Sequence, residues 1–267
     1  MELLCPVCGL PLTKADRLWQ CEKNHCFDIA RQGYVNLLTV DKKHARHPGD
    51  TKEQVAARKE FLDGGFYAPI AETVRKLIAP LSPKTVLDAG CGEGYYLTKL
   101  QEQLPEAEFA GIDISKDAVR FAAVRNKNAL WLTGTAAALP FPDNSFDCVL
   151  SMFALTVEQE FARVLRQGGH YLQVIAGEDH LMGLKQIIYP EILRKEKNLH
   201  PDFAGFHLCN TKTLKFSFTL DSNNQVQNLL SMTPHFWRIS KEGAERLNQT
   251  DTLTDTAQVV FNLYGKE

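Results

Sequence analysis

The N-terminal part of the chain concentrates residues that bind metals. Four of the seven cysteines lie within the first 26 residues, in the arrangement Cys5-x2-Cys8-x12-Cys21-x3-His25, with Cys26 directly after the histidine. Each close pair fits one tight turn that presents two ligands, and thiolate with imidazole is a donor set that suits zinc. Four protein ligands leave no open position, so the predicted zinc is structural. The spacing favours His25 as the fourth ligand and leaves Cys26 as the alternative, whereas unrelated reduced cysteines are not expected to cluster in this way.

A second group of residues has the pattern Asp88-x-Gly90-x-Gly92-x-Gly94, between an apolar run and a helical pattern. Glycines at such a junction let the backbone turn sharply and approach a ligand closely. Asp113 ends the next apolar run, nineteen residues past Gly94, where a carboxylate can accept both hydroxyls of a ribose. The spacing differs from the G-x-G-x-x-G of nicotinamide binders. We therefore expect a nucleoside-containing ligand of another kind.

The segments around these residues alternate between short apolar runs and helical patterns, which predicts an α/β fold with a doubly wound, mostly parallel sheet. Ligands of such sheets bind at the carboxyl ends of the strands. The predicted strands are Lys84–Leu87, Glu108–Ile112, Ala129–Leu132, Phe146–Ser151, His170–Ala176, Thr211–Leu220 and Thr256–Tyr264. The predicted helices are Tyr95–Leu104, Ser115–Arg125, Glu158–Arg166 and Leu184–Leu199, with a turn at residues 167–169.

The composition is typical of a globular protein. The chain has 267 residues, of which 44% are hydrophobic and 23% are charged, which excludes a disordered or collagen-like chain. It contains no run of about 18 apolar residues that would span a membrane. Its N-terminus also lacks the pattern of a signal peptide. These features predict a cytoplasmic protein without a membrane partner, and disulfides are disfavoured in that compartment.

The charge is unevenly distributed along the chain, although the net charge is only −2. Residues 1–60 carry ten basic and eight acidic side chains, whereas residues 61–267 carry twenty and twenty-four. Between residues 42 and 59, two carboxylates oppose six cations, which are Lys42, Lys43, Arg46, Lys52, Arg58 and Lys59. Such a cluster is typical of either a nucleic-acid contact or a solvated linker.

The glycine loop, Asp113 and the segment Leu139-Pro140-Phe141-Pro142-Asp143-Asn144-Ser145-Phe146-Asp147 together resemble class I S-adenosylmethionine-dependent methyltransferases. The resemblance implies a Rossmann-like sheet of seven strands, with the glycines lining the methionine and ribose of the cofactor and Asp113 holding the ribose. Many members have an Asp that contacts adenine shortly before the L-P-F element. Residues 134–138 contain none, so adenine is expected to meet backbone near Thr135.

A more specific resemblance covers nearly the whole chain. The zinc spacing continues into Phe27-Asp28-x-Ala30-x-x-Gly33-Tyr34, and later segments include Pro48-Gly49-Asp50, His180-Leu181-Met182 and Met232-Thr233-Pro234 with Trp237-Arg238. Together these look like the family of 23S ribosomal RNA guanine-N1 methyltransferases. The resemblance implies 23S rRNA as partner and a homodimer. One departure concerns residues 151–155, Ser-Met-Phe-Ala-Leu, where the family pattern ends in aromatic-Ala-Pro.

The same resemblance implies the site residues. The zinc ligands are Cys5, Cys8, Cys21 and His25. The residues expected around the cofactor or at the mouth of its cleft are Tyr67, Asp88, Gly90, Gly92, Gly94, Tyr95, Tyr96, Asp113, Thr135 and His180.

Methyl transfer to guanine N1 requires near-attack positioning and removal of the N1 proton. His180 is the candidate general base, with water as an alternative acceptor; otherwise His180 shapes the pocket. The target guanine must be unstacked from a loop, and the aromatic residues that could stack on it are Phe153, Tyr95, Tyr96 and Trp237. RNA contacts are expected from the basic cluster between residues 42 and 59 and from the helix 184–199, which carries Lys185, Arg194, Lys195 and Lys197.

The predicted organisation is a zinc module over residues 1–36, a basic linker and helix over 37–80, and a methyltransferase domain over 81–267. Two other functions stay open at this point. One is a class I methyltransferase that acts on a small molecule, which the zinc module and basic linker disfavour. The other is a catalytically impaired RNA-binding relative, which the departure at residues 151–155 suggests.

Overall fold

A computed structural model describes residues 1–40, 49–192 and 196–267. In chain order the strands are β1 Leu3–Leu4, β2 Pro11–Lys14, β3 Leu18–Gln20, β4 Cys26–Asp28, β5 Val35–Asn36, β6 Thr85–Ala89, β7 Glu108–Asp113, β8 Leu130–Thr133, β9 Phe146–Met152, β10 Leu165–Ala176, β11 Phe206–Leu220 and β12 Leu253–Lys266. The α-helices are α1 Lys52–Asp63, α2 Ala68–Ile78, α3 Tyr95–Gln101, α4 Lys116–Arg125, α5 Glu158–Val164, α6 Met182–Ile188, α7 Asn223–Ser231 and α8 Lys241–Asn248. Short 3₁₀ turns lie at Ala79–Leu81 and Pro234–Trp237.

Eight strands form the central sheet, in the order β11-β12-β10-β9-β6-β7-β8-β5. The six strands β10, β9, β6, β7, β8 and β5 are parallel to one another. Strand β12 is antiparallel to both of its neighbours, β10 and β11. The seven predicted strands are all present, and β5 adds an eighth beside β8. The chain winds outward in both directions from β6 and β9, which creates a crevice at their carboxyl ends, where ligands of open α/β sheets bind.

Apolar side chains cover both faces of the sheet. One cluster joins α1 and α2 to the strands through residues such as Phe61, Ile70 and Trp131, all almost fully buried. On the other face, Leu3 and Leu12 of the N-terminal four-stranded sheet share a cluster with Phe141. The N-terminal module therefore packs directly against the larger sheet. The predicted boundaries at residues 36 and 80 stay predictions.

Some elements differ from their predicted extent. The helix predicted over 184–199 ends at Ile188 instead, because Tyr189 is extended (φ −110°, ψ 140°) and precedes Pro190, which disfavours helical backbone in the residue before it; residues 193–195 lie outside the described residues. The predicted turn at residues 167–169 lies within β10, where the register against β9 shifts between Leu165 and His170. Within the described residues, no helix is both long and apolar enough to cross a bilayer.

Candidate active site and metal centre

Four side chains of the N-terminal module converge on one point. The ligand atoms of Cys5, Cys8, Cys21 and His25 all lie within 4.8 Å of one another. His25 Nδ1 is 3.4 Å from Sγ of both Cys5 and Cys21, and the Sγ atoms of Cys8 and Cys21 are 3.7 Å apart. A zinc tetrahedron with ordinary bond lengths has edges of about 3.6–3.8 Å between such atoms. The cluster therefore has the size and donor set of a structural zinc site.

The alternative ligand, Cys26, does not take part in this cluster. Its side chain is exposed and its Sγ donates to the carbonyl oxygen of Asn24, 3.4 Å away. The turn that brings His25 inward is closed by hydrogen bonds from Asn24 N to Cys21 O (2.9 Å) and from Cys21 N to His25 O (3.2 Å). Because Asn24 has a left-handed backbone (φ 62°), the chain reverses here and presents His25 to the cluster.

The glycine loop follows β6 and is fixed by its neighbours. The N–H groups of Gly90 and Cys91 donate to the carbonyl oxygen of Ile112 at 2.8 and 3.1 Å. Gly90 and Gly94 have φ values of 88° and 81°, which favour glycine. A Cβ on Gly94 would lie 2.7 Å from the Trp131 ring, and one on Gly90 would overlap the Cβ of Ala154. The loop thus holds a tight shape that side chains would obstruct.

Gly94 offers a test of this requirement. We expect Gly94→Ala to lower the free energy of unfolding by about 2–4 kcal/mol, from left-handed strain together with overpacking against Trp131. Gly65 is the matched control, since its φ is also 81° but no atom lies within 4 Å of an added Cβ. Gly65→Ala should cost only about 1 kcal/mol. Urea unfolding of both variants measures the difference, and equal losses would contradict the packing argument.

Two carboxylates accompany the loop. Asp113 accepts hydrogen bonds from Gly92 N at Oδ2 (2.9 Å) and from Ser115 N at Oδ1 (2.8 Å). Each carboxylate oxygen has two lone pairs, so Asp113 keeps acceptor capacity for the two hydroxyls of a ribose. Burial raises the pKa of its carboxyl group. The same carboxylate therefore shapes the loop, and its contact with a ribose stays a prediction.

Asp88 is the more deeply buried of the two, with 1% of its surface exposed. Its Oδ1 has no hydrogen-bond partner among the described residues. Burial, with a further contribution from Asp113, raises the pKa of Asp88 to about 8. A buried acceptor without a partner fits a ligand that brings an N–H group, such as the amino group of S-adenosylmethionine.

The raised pKa of Asp88 predicts a pH dependence of stability. Its folded-state pKa of about 8 exceeds the unfolded value of about 4, so the folded state binds the proton more tightly. Its contribution to stability is fully present below about pH 4 and is lost as the pH rises towards about 8. Urea unfolding across this range should show the parent losing stability relative to Asp88→Asn. Parallel pH profiles for the two proteins would contradict the assignment.

Four rings surround the other end of the crevice. The ring centroid of Phe153 lies 6.4 Å from Tyr67, 6.5 Å from Tyr96 and 6.0 Å from His180. Tyr67 Oη and His180 Nε2 are 3.4 Å apart. Phe153 is 40% exposed and has a left-handed backbone (φ 54°), which is rare for a bulky residue. These side chains come from α3, from the residue after β9 and from the segments before α2 and α6, and together they form an aromatic wall.

His180 is held as a neutral imidazole within this wall. Burial, with a smaller effect from Lys185, lowers its pKa to about 4. Its Nδ1 is buried and has no hydrogen-bond partner among the described residues. Tyr95 differs from the other predicted site residues, because its ring is buried beneath the Arg125 guanidinium, 5.6 Å from the ring centroid. Thr135 is half-buried beyond β8, and its Oγ1 accepts from Ala137 N (3.2 Å).

Comparison with known proteins shows which family the chain belongs to. The family model described as "RlmA, N-terminal", a zinc ribbon, matches residues 3–46, and the model "Methyltransferase domain" matches residues 86–169. The 23S rRNA (guanine(748)-N(1))-methyltransferase of Streptomyces fradiae is 36% identical, over 88% of this chain and 85% of its own length. The chain belongs to the 23S rRNA (guanine-N1)-methyltransferase family. The predicted structural zinc and S-adenosylmethionine cofactor are thereby confirmed.

Two further similarities accompany this family membership. The YxjB protein of Bacillus subtilis strain 168 is 30% identical, over 96% of this chain and 94% of its own length. The solved structure of the YcgJ protein from Bacillus subtilis is 20% identical, with a TM-score of 0.46, and covers 70% of this chain and 93% of that one.

The departure from the family pattern after β9 is confined to one position. Phe153 and Ala154 provide the aromatic and the alanine, and Leu155 stands where proline is expected. Ala154 packs against Gly90, while the side chain of Leu155 is exposed. The aromatic wall and the contact with the glycine loop are therefore formed despite the departure.

The position of Arg58 differs from the one expected for it, which was in a basic cluster that contacts RNA. The structure places it beside the cofactor loop, with Nη1 3.5 Å from the position of a Cβ on Gly92. Its guanidinium forms an ion pair with Asp50 (2.5 Å) and donates to Met232 O (3.3 Å). Lys59 is likewise paired with Asp63 (2.5 Å). Neither is a free cation for RNA, and Lys42, Lys43, Arg46, Arg194 and Lys195 lie outside the described residues.

The sequence analysis also did not predict a buried ion pair that involves the glycine loop. Glu93, in the glycine loop, accepts from Arg125 Nε at 2.6 Å, and Arg125 Nη1 pairs with Asp63 at the end of α1 (2.8 Å). Glu93 is 1% exposed, and burial raises the pKa of its carboxyl group. The arrangement joins the cofactor loop to α1 and α4. No spacing rule connects residues 63, 93 and 125, so the sequence offered no signal for it.

Proposed function

We propose that this protein transfers a methyl group from S-adenosylmethionine to N1 of a guanine in a loop of 23S rRNA. The observation that carries the proposal is the joining of two sites on one sheet. A glycine loop with Asp113 lies at the crevice of the sheet, and a four-ligand zinc module packs on its face. The Streptomyces fradiae relative, which is named for this reaction, matches over 88% of this chain.

The cofactor, when bound, supplies an electrophilic methyl group on a sulfonium. Asp113 would accept the ribose hydroxyls, and the free oxygen of Asp88 would accept an N–H group. Gly90, Gly92 and Gly94 leave space for the cofactor at the loop. Tyr96 and Thr135 would contact the cofactor, whereas Tyr95 is buried beneath Arg125.

The aromatic wall would orient the target base. Phe153 is the exposed member of the wall, so it is the side chain most available to stack on an unstacked guanine and exclude water. His180 has little affinity for a proton with a pKa of about 4. Its contact with Tyr67 therefore favours the pocket-shaping role over that of general base. The N1 proton would then pass to water as N1 approaches the methyl group in line.

Incubation of the purified protein with labelled S-adenosylmethionine and unmodified 23S rRNA, followed by nucleoside mapping, tests the proposal. Label in 1-methylguanosine is the expected result. Cofactor binding without transfer to RNA would contradict the proposal and would favour the impaired RNA-binding relative. The predicted homodimer and cytoplasmic location remain predictions, and light scattering coupled to gel filtration checks the first.

A further inference from the structure

Two large aromatic side chains stand exposed on the 3₁₀ turn Pro234–Trp237. Trp237 is 68% exposed and Phe236 is 38% exposed. Their ring centroids are 5.1 Å apart at 86°, so each ring supports the other edge to face. Exposed apolar surface of this kind marks an interaction site when polar or charged groups surround it.

The turn is held from both sides. On one side Arg58 Nη2 donates to Met232 O (3.3 Å), and Gln54 Nε2 donates to Ser231 O (3.4 Å), which ties the segment to α1 and the cofactor loop. On the other side His235 Nδ1 and Tyr189 Oη are 2.8 Å apart, beyond the end of α6. The two exposed rings therefore stand on a fixed support next to the crevice.

Positively charged side chains lie near both this turn and His180 of the aromatic wall. Burial is the main cause of the lowered pKa of both His180 and His235, and Lys185 and Lys197 each lower these pKa values further. Arg238 follows Trp237 directly and acts on His235 as well. Lys197 Nζ contacts only carbonyl oxygens in the described structure, those of Ala176 (3.4 Å) and Gly177 (3.1 Å), so its charge is not paired with a carboxylate there.

The nearby carboxylates Asp179 and Asp255 act on Lys185 and also bind other groups. Asp179 forms an ion pair with Lys215 (3.0 Å). Asp255 accepts from the N–H groups of Gly183 (2.9 Å) and Leu184 (2.8 Å) at the start of α6. The surface between the crevice and the turn therefore combines cations with exposed aromatic rings.

We propose that Phe236 and Trp237 form a stacking platform for an unpaired nucleotide of the RNA substrate, with Lys185, Lys197 and Arg238 facing its phosphates. The inference rests on the proposed function, since the RNA is the one that carries the target guanine. Bases stack on exposed aromatic side chains with little regard to sequence, and lysine and arginine neutralise the backbone. A second copy of the chain fits this surface poorly, because a two-fold contact would place the same cations opposite each other.

Tryptophan fluorescence tests the platform independently of catalysis. Trp237 is far more exposed than Trp131, which is 1% exposed, or the half-buried Trp19. Titration with an unmodified 23S rRNA transcript should quench the emission of the parent and of Trp19→Phe, because a stacked base contacts the Trp237 indole. Trp237→Phe should lose that quenching. Equal quenching in Trp237→Phe would overturn the proposal.

Steady-state kinetics supply a second test. Trp237→Ala should raise the KM for RNA by about 5- to 150-fold, the range expected for one lost base-stacking contact. Its affinity for S-adenosylmethionine and its melting temperature should match the parent. Val124→Ala is the control, because Val124 is also an exposed apolar side chain, on α4.

The outcomes separate the platform from the proposed function. An unchanged KM for RNA in Trp237→Ala, while the parent forms 1-methylguanosine, would overturn the platform and leave the proposed function standing. A parent that forms no 1-methylguanosine would refute the proposed function, whereas the fluorescence titration would still report on RNA binding. A change of oligomeric state in Trp237→Ala without a change in RNA binding would overturn the platform in favour of a protein contact.

Discussion

Replacing Cys21 with serine is expected to remove zinc from the protein and unfold its N-terminal module. The four ligand atoms link the two turns of the module, and a segment of this size has too few apolar side chains to fold unaided. Binding of structural zinc contributes about 10–16 kcal/mol in small modules of this type. Elemental analysis after dialysis should find one zinc per chain in the parent and almost none in Cys21→Ser.

Cys26→Ser is the matched control, because Cys26 lies one residue from a ligand but is exposed and bonded to Asn24 O. It should retain its zinc. Loss of zinc from Cys26→Ser would show that Cys26, and not His25, completes the site. Cys21→Ser should keep its affinity for S-adenosylmethionine, since Asp113 at the end of β7 and the glycine loop after β6 both lie outside the module. It should melt at a lower temperature, because Leu3 and Leu12 no longer cover Phe141.

Replacing Arg125 with methionine is expected to destabilise the protein by about 3–5 kcal/mol, the usual cost of leaving a buried charge without its partner. Glu93 would remain buried without the guanidinium that now donates to its Oε2. Because Glu93 belongs to the cofactor loop, the affinity for S-adenosylmethionine should fall as well. Urea unfolding and calorimetric titration of the cofactor measure the two effects.

Two comparisons make this prediction specific. Arg120→Met removes an exposed ion pair with Asp117 on the same helix (3.3 Å), and should cost less than about 1 kcal/mol. The double variant Glu93→Gln with Arg125→Met should be more stable than Arg125→Met alone, because glutamine does not leave a buried charge. If Arg125→Met and Arg120→Met lowered the free energy of unfolding equally, the burial of the Glu93–Arg125 pair would not contribute to stability.

The parts of the site that could be predicted are those that one stretch of backbone builds by itself. The zinc ligands occupy two turns, and the glycine loop needs its residue types because of its own φ values and one close packing contact. Asp113 follows because it ends the strand next to that loop. In each case the residues are either close in the sequence or at the ends of neighbouring strands, so simple rules of spacing and strand order bring them together.

The parts that could not be predicted depend on long-range packing. Arg58 reaches the cofactor loop only because α1 lies across it, and Glu93 meets Arg125 through the packing of α3 and α4. Charge counting placed Arg58 and Lys59 in a free basic surface, although each faces a carboxylate. The end of α6 is a different case, because Pro190 is a local signal in the sequence and the helix predicted over 184–199 nevertheless ran past it.

The position of β5 has a consequence for solubility. The pairing of Val35 and Asn36 with Leu132 and Thr133, extended by Leu37 N donating to Thr133 O (2.8 Å), covers the outer edge of β8. An uncovered parallel edge offers free N–H and C=O groups to any other extended chain, which is a common start of aggregation. A fragment that begins after residue 37 would expose this edge together with the apolar face beneath Leu3 and Leu12. Such a fragment is therefore expected to associate with other copies more readily than the full chain.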